Sequence, residues 1–166
     1  TGSDGPTGMQ GILLSDIIDK IARDAGADPA TVRAHSSCLS ADVTAAFDPN
    51  YPDVFEKRNA SLIHCGVGLA KYTGSGGKYG TNDATAEFVA HVRKIFDEAG
   101  VVWQMAELGK VDAGGGGTVA MYIANLNVDT VDLGVPVLSM HAPFEVVSKL
   151  DVYMAHRAFT ALLTRE

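Results

Sequence analysis

The chain has 166 residues, 46% hydrophobic and 20% charged, with a formal net charge of −7. That length suits one domain with a real core, and that composition excludes a disordered chain. The acidic balance, with no Lys/Arg cluster, argues against a nucleic-acid partner, and the apolar runs fall short of a membrane span.

The chain opens on a glycine-rich turn, Thr1-Gly2-Ser3-Asp4-Gly5, and enters a helix with no strand before it. Glycine turns normally connect elements, so this start reads as the middle of a larger protein. Residues 9–25 are predicted as an amphipathic helix, with Met9, Leu13, Ile17 and Ile21 on one face and Gly26 ending it. Asp28-Pro29 reads as a cap and first residue of a short second helix. Residues 38–43 read as a strand that places Asp42 near its end, before a loop with two prolines at 49 and 52.

Residues 61–73 are predicted as a strand with breaks at Gly66 and Gly68, and residues 74–80 as a glycine-rich loop. Asn82 or Thr81 is expected to cap a helix over 83–99, with Ala86, Val89, Val92, Ile95 and Phe96 on its apolar face. Residues 101–105 read as a strand, 110–118 as a second glycine loop, and 118–126 as a short helix. Two β-branched runs then flank Gly134, the second ending at His141, and Pro143 opens a predicted helix to the C-terminus. Alternating strands and helices point to an α/β fold with a mainly parallel sheet and right-handed crossovers.

The candidate chemistry follows from this layout. His141, between a strand and a Pro-started helix, is expected at the carboxyl edge of the sheet, where ligands of such sheets bind. The alternative is a histidine that only hydrogen-bonds backbone. Asp42 is its natural companion, with an Asx turn or helix cap as the alternative. One carboxylate and one imidazole cannot hold a catalytic zinc, which takes three protein ligands and an open position. These two are therefore at most half a site.

Gly114–Gly117 before Thr118 leaves backbone amides bare for an oxyanion or a substrate carboxylate, unless it is simply a tight turn. Lys110 precedes these glycines, so the pattern is not a nucleotide phosphate loop. Lys78 and Tyr79 in the first glycine loop, with His64 before it, are candidates for an anionic substrate end or else solvated loop residues. His35, His91 and His156 fall in predicted helices and read as surface residues. Thr1 as an N-terminal threonine nucleophile is a further possibility without an identifiable base. Cys38 and Cys65, with no CxxC spacing, read as reduced, buried thiols of a cytoplasmic protein.

Five ordered blocks carry a resemblance: Gly2–Gly5, Ser40-Ala41-Asp42-Val43, Asp48-Pro49-Asn50-Tyr51, Gly109–Thr118 and Ser139-Met140-His141-Ala142-Pro143. In these the chain resembles, over essentially its whole length, the C-terminal part of M18 metalloaminopeptidases, the aspartyl aminopeptidase group. The resemblance implies an α/β, three-layer zinc-peptidase-like domain with a mainly parallel central sheet, incomplete at the N-terminus. It implies that residues 1–166 are the C-terminal part of the catalytic domain, with the N-terminal part and the dimerisation domain outside it.

It further implies two zinc ions, about 3.5–4 Å apart in such sites, with Asp42 binding one and His141 the other. Cobalt and manganese suit the same donors. The general-base glutamate is implied upstream of Thr1, so none of the catalytic residues proper lies within 1–166. His64, Lys78, Tyr79, Lys110, Gly115, Gly116, Gly117 and Thr118 are implied to line the substrate pocket. The implied activity is hydrolysis of the N-terminal residue of a peptide, Asp or Glu among the candidates, through a metal-activated water. The implied partners are the peptide substrate, the N-terminal part of the same protein and a homo-oligomer, a dodecamer in the group. The alternative is a non-catalytic subunit that keeps the peptidase fold for assembly.

Overall fold

The computed structural model describes residues 3–76, 79–110 and 112–164. In chain order the elements are α1 (Leu13–Asp24), α2 (Pro29–Ala34), β1 (Ser37–Ala45), β2 (Val67–Ala70), β3 (Tyr72–Ser75), β4 (Tyr79–Asp83) and α3 (Ala86–Glu98). They continue with β5 (Trp103–Met105), β6 (Gly115–Gly116), α4 (Ala120–Ala124), β7 (Asp129–Leu138), β8 (Val146–Val147) and α5 (Lys149–Leu163).

Local signals explain several of these. The Asp28 carboxylate accepts the Thr31 N–H at 2.8 Å and Pro29 starts α2, as its sequence predicts. α3 buries Phe88, Val89, Val92, Ile95 and Phe96 along one face. Its cap is Thr85, whose hydroxyl accepts the Phe88 N–H at 3.2 Å, not Thr81 or Asn82. Those two residues instead belong to β4, which pairs antiparallel with β3 from Tyr72↔Asp83 to Ser75↔Tyr79. The described ends of the expected glycine-rich loop 74–80 are strand: Gly74 and Ser75 belong to β3, Tyr79 and Gly80 to β4. Gly68, expected as a break, lies inside β2.

The central sheet runs β1-β7-β2-β5, with β8 added to β7. A long parallel ladder joins β1 and β7 from Ser37↔Asp129 to Ala45↔Val137, and β2/β5 is parallel as well. β2 and β8 run antiparallel to β7, so the sheet is mainly parallel but mixed. The runs on either side of Gly134 are one continuous strand. Pro136, which has no N–H to donate, falls between the residues of β7 paired to β2 and those paired to β8.

Alternation along the strands assigns the layers. Leu39, Val67, Leu69, Val131, Leu133 and Val135 face α3 and α5 and build the main core with Val92, Phe96 and Ala158. Ser40, Asp42, Thr44 and Asp132 occupy the opposite face, where Thr118 at the start of α4 meets Asp132.

Two expectations change. Pro143 does not start a helix. Residues 141–145 form a turn, β8 then pairs back on Val137 and Leu138, and α5 begins at Lys149 behind Ser148, whose hydroxyl accepts the Leu150 N–H. The β-branched pair Val146-Val147 finds an open strand edge, and that pairing outweighs the proline signal. The apolar stripe of α1 is amphipathic as expected but faces outward, with Ile17 47% and Ile21 64% exposed.

Candidate metal centre and substrate cavity

The parallel register sets Asp42 opposite Gly134, three residues before β1 ends. β7 runs on to Leu138, and the chain then reverses in a turn closed by the Ala142 N–H donating to the Ser139 carbonyl at 3.0 Å. Ser139 (φ 59°) and His141 (φ 67°) both take left-handed backbone, uncommon for residues with a side chain and concentrated at functional turns. The reversal carries His141 to the cavity that Asp42 also lines. Both line one cavity of 420 Å³, together with Gly115, Gly116, Gly117, Thr118, Gly109 and the apolar side chains of Val54, Phe55, Leu108 and Met140.

The Asp42 carboxylate and the His141 backbone are both hydrogen-bonded. Asp42 Oδ1 accepts the Val43 N–H at 2.7 Å, which leaves Oδ2 available. The His141 backbone N–H donates to Glu145 Oε1 at 2.5 Å, closing the turn that carries the imidazole. Oxygen and nitrogen donors of this kind fit zinc. Among the described residues no group of three or more His, Cys, Asp or Glu is placed to hold a metal ion. Asp42 and His141 are two candidate donors on one cavity and do not by themselves make a ligand set.

The remaining candidates spread out. His64 does not line the cavity. Its Nδ1 shares a hydrogen bond with Ser148 Oγ at 2.9 Å, and its backbone N–H donates to Asp151 Oδ2 at 2.8 Å. Because that carboxylate meets backbone and not the imidazole, the trio is a clamp on the start of α5 and not a nucleophile relay. Tyr79 is 82% exposed at the tip of the hairpin. Lys110 is exposed, and its carbonyl accepts the N–H groups of Ala113 and Gly114, which makes it a turn residue outside the cavity lining. Lys78 and Thr1 lie outside the described residues. His35, His91 and His156 are exposed on helices or their ends. Cys38 and Cys65 are free thiols; Cys38 is half-buried, and burial pushes it up, with the Asp132 charge adding to the rise. Cys65 is exposed, contrary to its expected burial, because it lies in the loop before β2.

Sequence reasoning passed over Asp132. It is 6% exposed, and its Oδ2 accepts the Thr118 hydroxyl at 2.8 Å. Its Oδ1 is buried without a hydrogen-bond partner, as are Ser40 Oγ and Thr44 Oγ1 on the same sheet face. Burial pushes the Asp132 carboxyl up. The Thr118 hydroxyl and the adjacent Ser40 hydroxyl, which falls short of a formed bond, pull it back, and the Asp42 charge adds to the rise. A lone carboxylate inside the apolar run Val131–Val137 was the available signal.

With the folded pKa of Asp132 raised above the ordinary 3.8, the native state holds a proton that the unfolded chain has released. Wild-type stability therefore falls as pH rises from about 3.8 through the raised pKa. Asp132→Asn removes this dependence. Urea unfolding of the metal-free protein at pH 4 and pH 7 is expected to show the variant gaining on wild type at the higher pH; an unchanged difference would count against a raised carboxyl.

The family model for "Aminopeptidase I zinc metalloprotease (M18)" matches residues 1–163. A protein of Thermotoga maritima named probable M18 family aminopeptidase 1 is 45% identical over 99% of this chain and 38% of its own length. A protein of Clostridium acetobutylicum with the same name is 46% identical over 98% of this chain and 36% of its own. The crystal structure of the M18 aminopeptidase from Thermotoga maritima superposes with a TM-score of 0.92 at 46% identity, covering 98% of this chain and 37% of that one. The chain thus spans little more than a third of the length of these relatives.

Proposed function

The chain belongs to the M18 zinc aminopeptidase family, and on that premise we propose that it is the C-terminal part of the catalytic domain of a peptide-cleaving aminopeptidase. The substrate is a peptide whose N-terminal residue is removed, with Asp and Glu the first residues to try. The observation that carries this reading is the single cavity lined by Asp42, His141 and the glycine wall Gly115–Gly117.

In this reading Asp42, through Oδ2, and His141, through its imidazole, would each hold one of two zinc ions. Bound zinc supplies an activated water and polarises the scissile carbonyl. Gly116 and Gly117 bring backbone without side chains to the cavity wall, so their amides can meet a substrate carbonyl or carboxylate. Val54, Phe55 and Met140 add apolar surface to the cavity lining. The general-base glutamate and the other ligands belong to the rest of the polypeptide.

Homo-oligomerisation, a dodecamer by the family resemblance, completes the reading. It is supported by the outward apolar stripe of α1 and is checked by light scattering. The proposed compartment is the cytoplasm, in keeping with two free cysteines. No helix among the described residues is long and apolar enough to cross a membrane.

The test uses the full-length protein. Zinc per chain and hydrolysis of N-terminal Asp, Glu and Leu amides are measured for wild type, Asp42→Ala and His141→Ala. Each variant is expected to lose more than about 100-fold in activity together with bound zinc, since even the outer partners of a metal site cost 10–100-fold. Wild-type hydrolysis untouched by either change overturns the site. A well-folded, zinc-free wild type without hydrolysis favours the assembly role instead.

A further inference from the structure

Asp132 is a buried carboxylate with one formed side-chain bond, to the Thr118 hydroxyl. Thr118 is the residue where the cavity's glycine wall ends. Its Oγ1 also accepts the Ala120 N–H at 3.3 Å and stands 3.4 Å from Thr73 Oγ1. One hydroxyl thus ties together β7, the start of α4 and β3. Its proton goes inward to Asp132, so it is committed to the scaffold. The glycine wall is otherwise held by backbone pairing: β6 pairs with β3 at Gly74↔Gly116 and Ser75↔Gly115, and the Gly76 N–H donates to the Gly114 carbonyl at 3.0 Å. On the facing wall, Asp42 stands on β1, the strand paired to β7, and Ser40↔Asp132 and Asp42↔Gly134 are successive same-face steps of that ladder. The Asp132–Thr118 bond therefore links the glycine wall to the β1–β7 ladder that carries Asp42.

We infer that Asp132 is a positioning residue that sets, through Thr118, the separation between the glycine wall and the Asp42 wall. It thereby sets which first residue of the substrate fits. This rests on the aminopeptidase reading for its consequence but not for its geometry. Burying a carboxylate is costly unless it is bonded, and here the bond is used to hold a backbone wall that carries no side chains of its own. The adjacent Ser40 hydroxyl makes no formed hydrogen bond, so the formed side-chain bond to Asp132 is the one from Thr118. Thr118 is its anchor.

The experiment uses the full-length protein with Thr118→Val, Thr118→Ser, Asp132→Ala and Asp132→Asn. Two quantities are read: hydrogen–deuterium exchange of the segment 109–118, and kcat and KM for amides of small and large N-terminal residues. Thr118→Val keeps the volume but removes the donor. It is expected to speed exchange in that segment at least tenfold and raise KM for large residues at least tenfold, while kcat changes less than threefold. Thr118→Ser keeps the hydroxyl and is expected to return the exchange rate to within about twofold of wild type. Asp132→Asn keeps an acceptor and should do the same, whereas Asp132→Ala should behave like Thr118→Val.

Equal exchange in Thr118→Val and Thr118→Ser overturns the inference, as does a parallel fall in kcat with KM unmoved. If Asp132→Ala does not fold, the Thr118 pair still decides. If wild type cleaves no N-terminal residue, the aminopeptidase reading fails separately, and exchange alone decides whether Asp132 fixes the wall.

Discussion

Asp151→Ala is expected to cost about 3–5 kcal/mol of stability and to lower Tm by roughly 10 °C. Asp151 is 1% exposed in the first turn of α5. Its Oδ2 accepts the backbone N–H of His64 and its Oδ1 that of Gly66, both at 2.8 Å. Alanine would leave two N–H groups without acceptors beside a methyl-sized void. The loop before β2 would then detach from the start of α5, and the hydrogen bond between Ser148 Oγ and His64 Nδ1 would go with it. Asp151→Asn retains one acceptor and turns an NH2 toward the other N–H, so about half the loss is expected. Thermal and urea unfolding of the three proteins measure it; a loss under about 1 kcal/mol for the alanine variant, within the usual range of surface changes, would mean that the loop is held by something else.

Gly115→Ala is expected to cost about 2–4 kcal/mol, from a left-handed backbone and a steric clash together. Gly115 has φ +97°, and a Cβ there would stand 2.1 Å from the Gly74 carbonyl oxygen and 3.1 Å from that of Leu108. Either β6 leaves β3 or the carbonyl moves, and the cavity wall shifts with it. The neighbouring Gly116→Ala is the internal control. A Cβ at Gly116 meets nothing within 4 Å, so stability should stay within about 0.5 kcal/mol. The new methyl would face open space next to the cavity, and a change in KM without a change in Tm is its expected signature. Equal Tm losses in the two variants would show that the wall is not built as described.

These two predictions mark where reading along the chain succeeds and where it stops. Asp28-Pro29 capping α2, the buried face of α3 and the strand carrying Asp42 were legible because each is a short-range pattern of dihedral preference and apolar spacing. Their energetics are settled within a turn or two of chain. The glycine wall was visible as glycines, but only the approach of Gly74 explains why Gly115 must be one. Thr81 and Asn82 read as helix caps and became strand, because pairing with β3 supplies more bonds than a cap can. Pro143 read as a helix start, and the edge of β7 claimed Val146 and Val147 instead. Ser148 and Asp151 have the spacing of a local cap pair, yet the carboxylate is spent on His64 and Gly66, 87 and 85 positions away. Asp132 looked like one residue in an apolar run until the face opposite the core turned out to hold Thr118.

By itself the sequence determined the class of fold, the helices α2 and α3, the strand carrying Asp42, and the candidacy of one carboxylate and one imidazole. Their place on one cavity, the absence of His64, Tyr79 and Lys110 from its lining, and the buried acid bonded to Thr118 were decided by tertiary structure alone. The physical reason is range: helix caps and strand periodicity are satisfied by neighbours in sequence, whereas a cavity is made by register and backbone reversal between strands that the chain order does not place side by side.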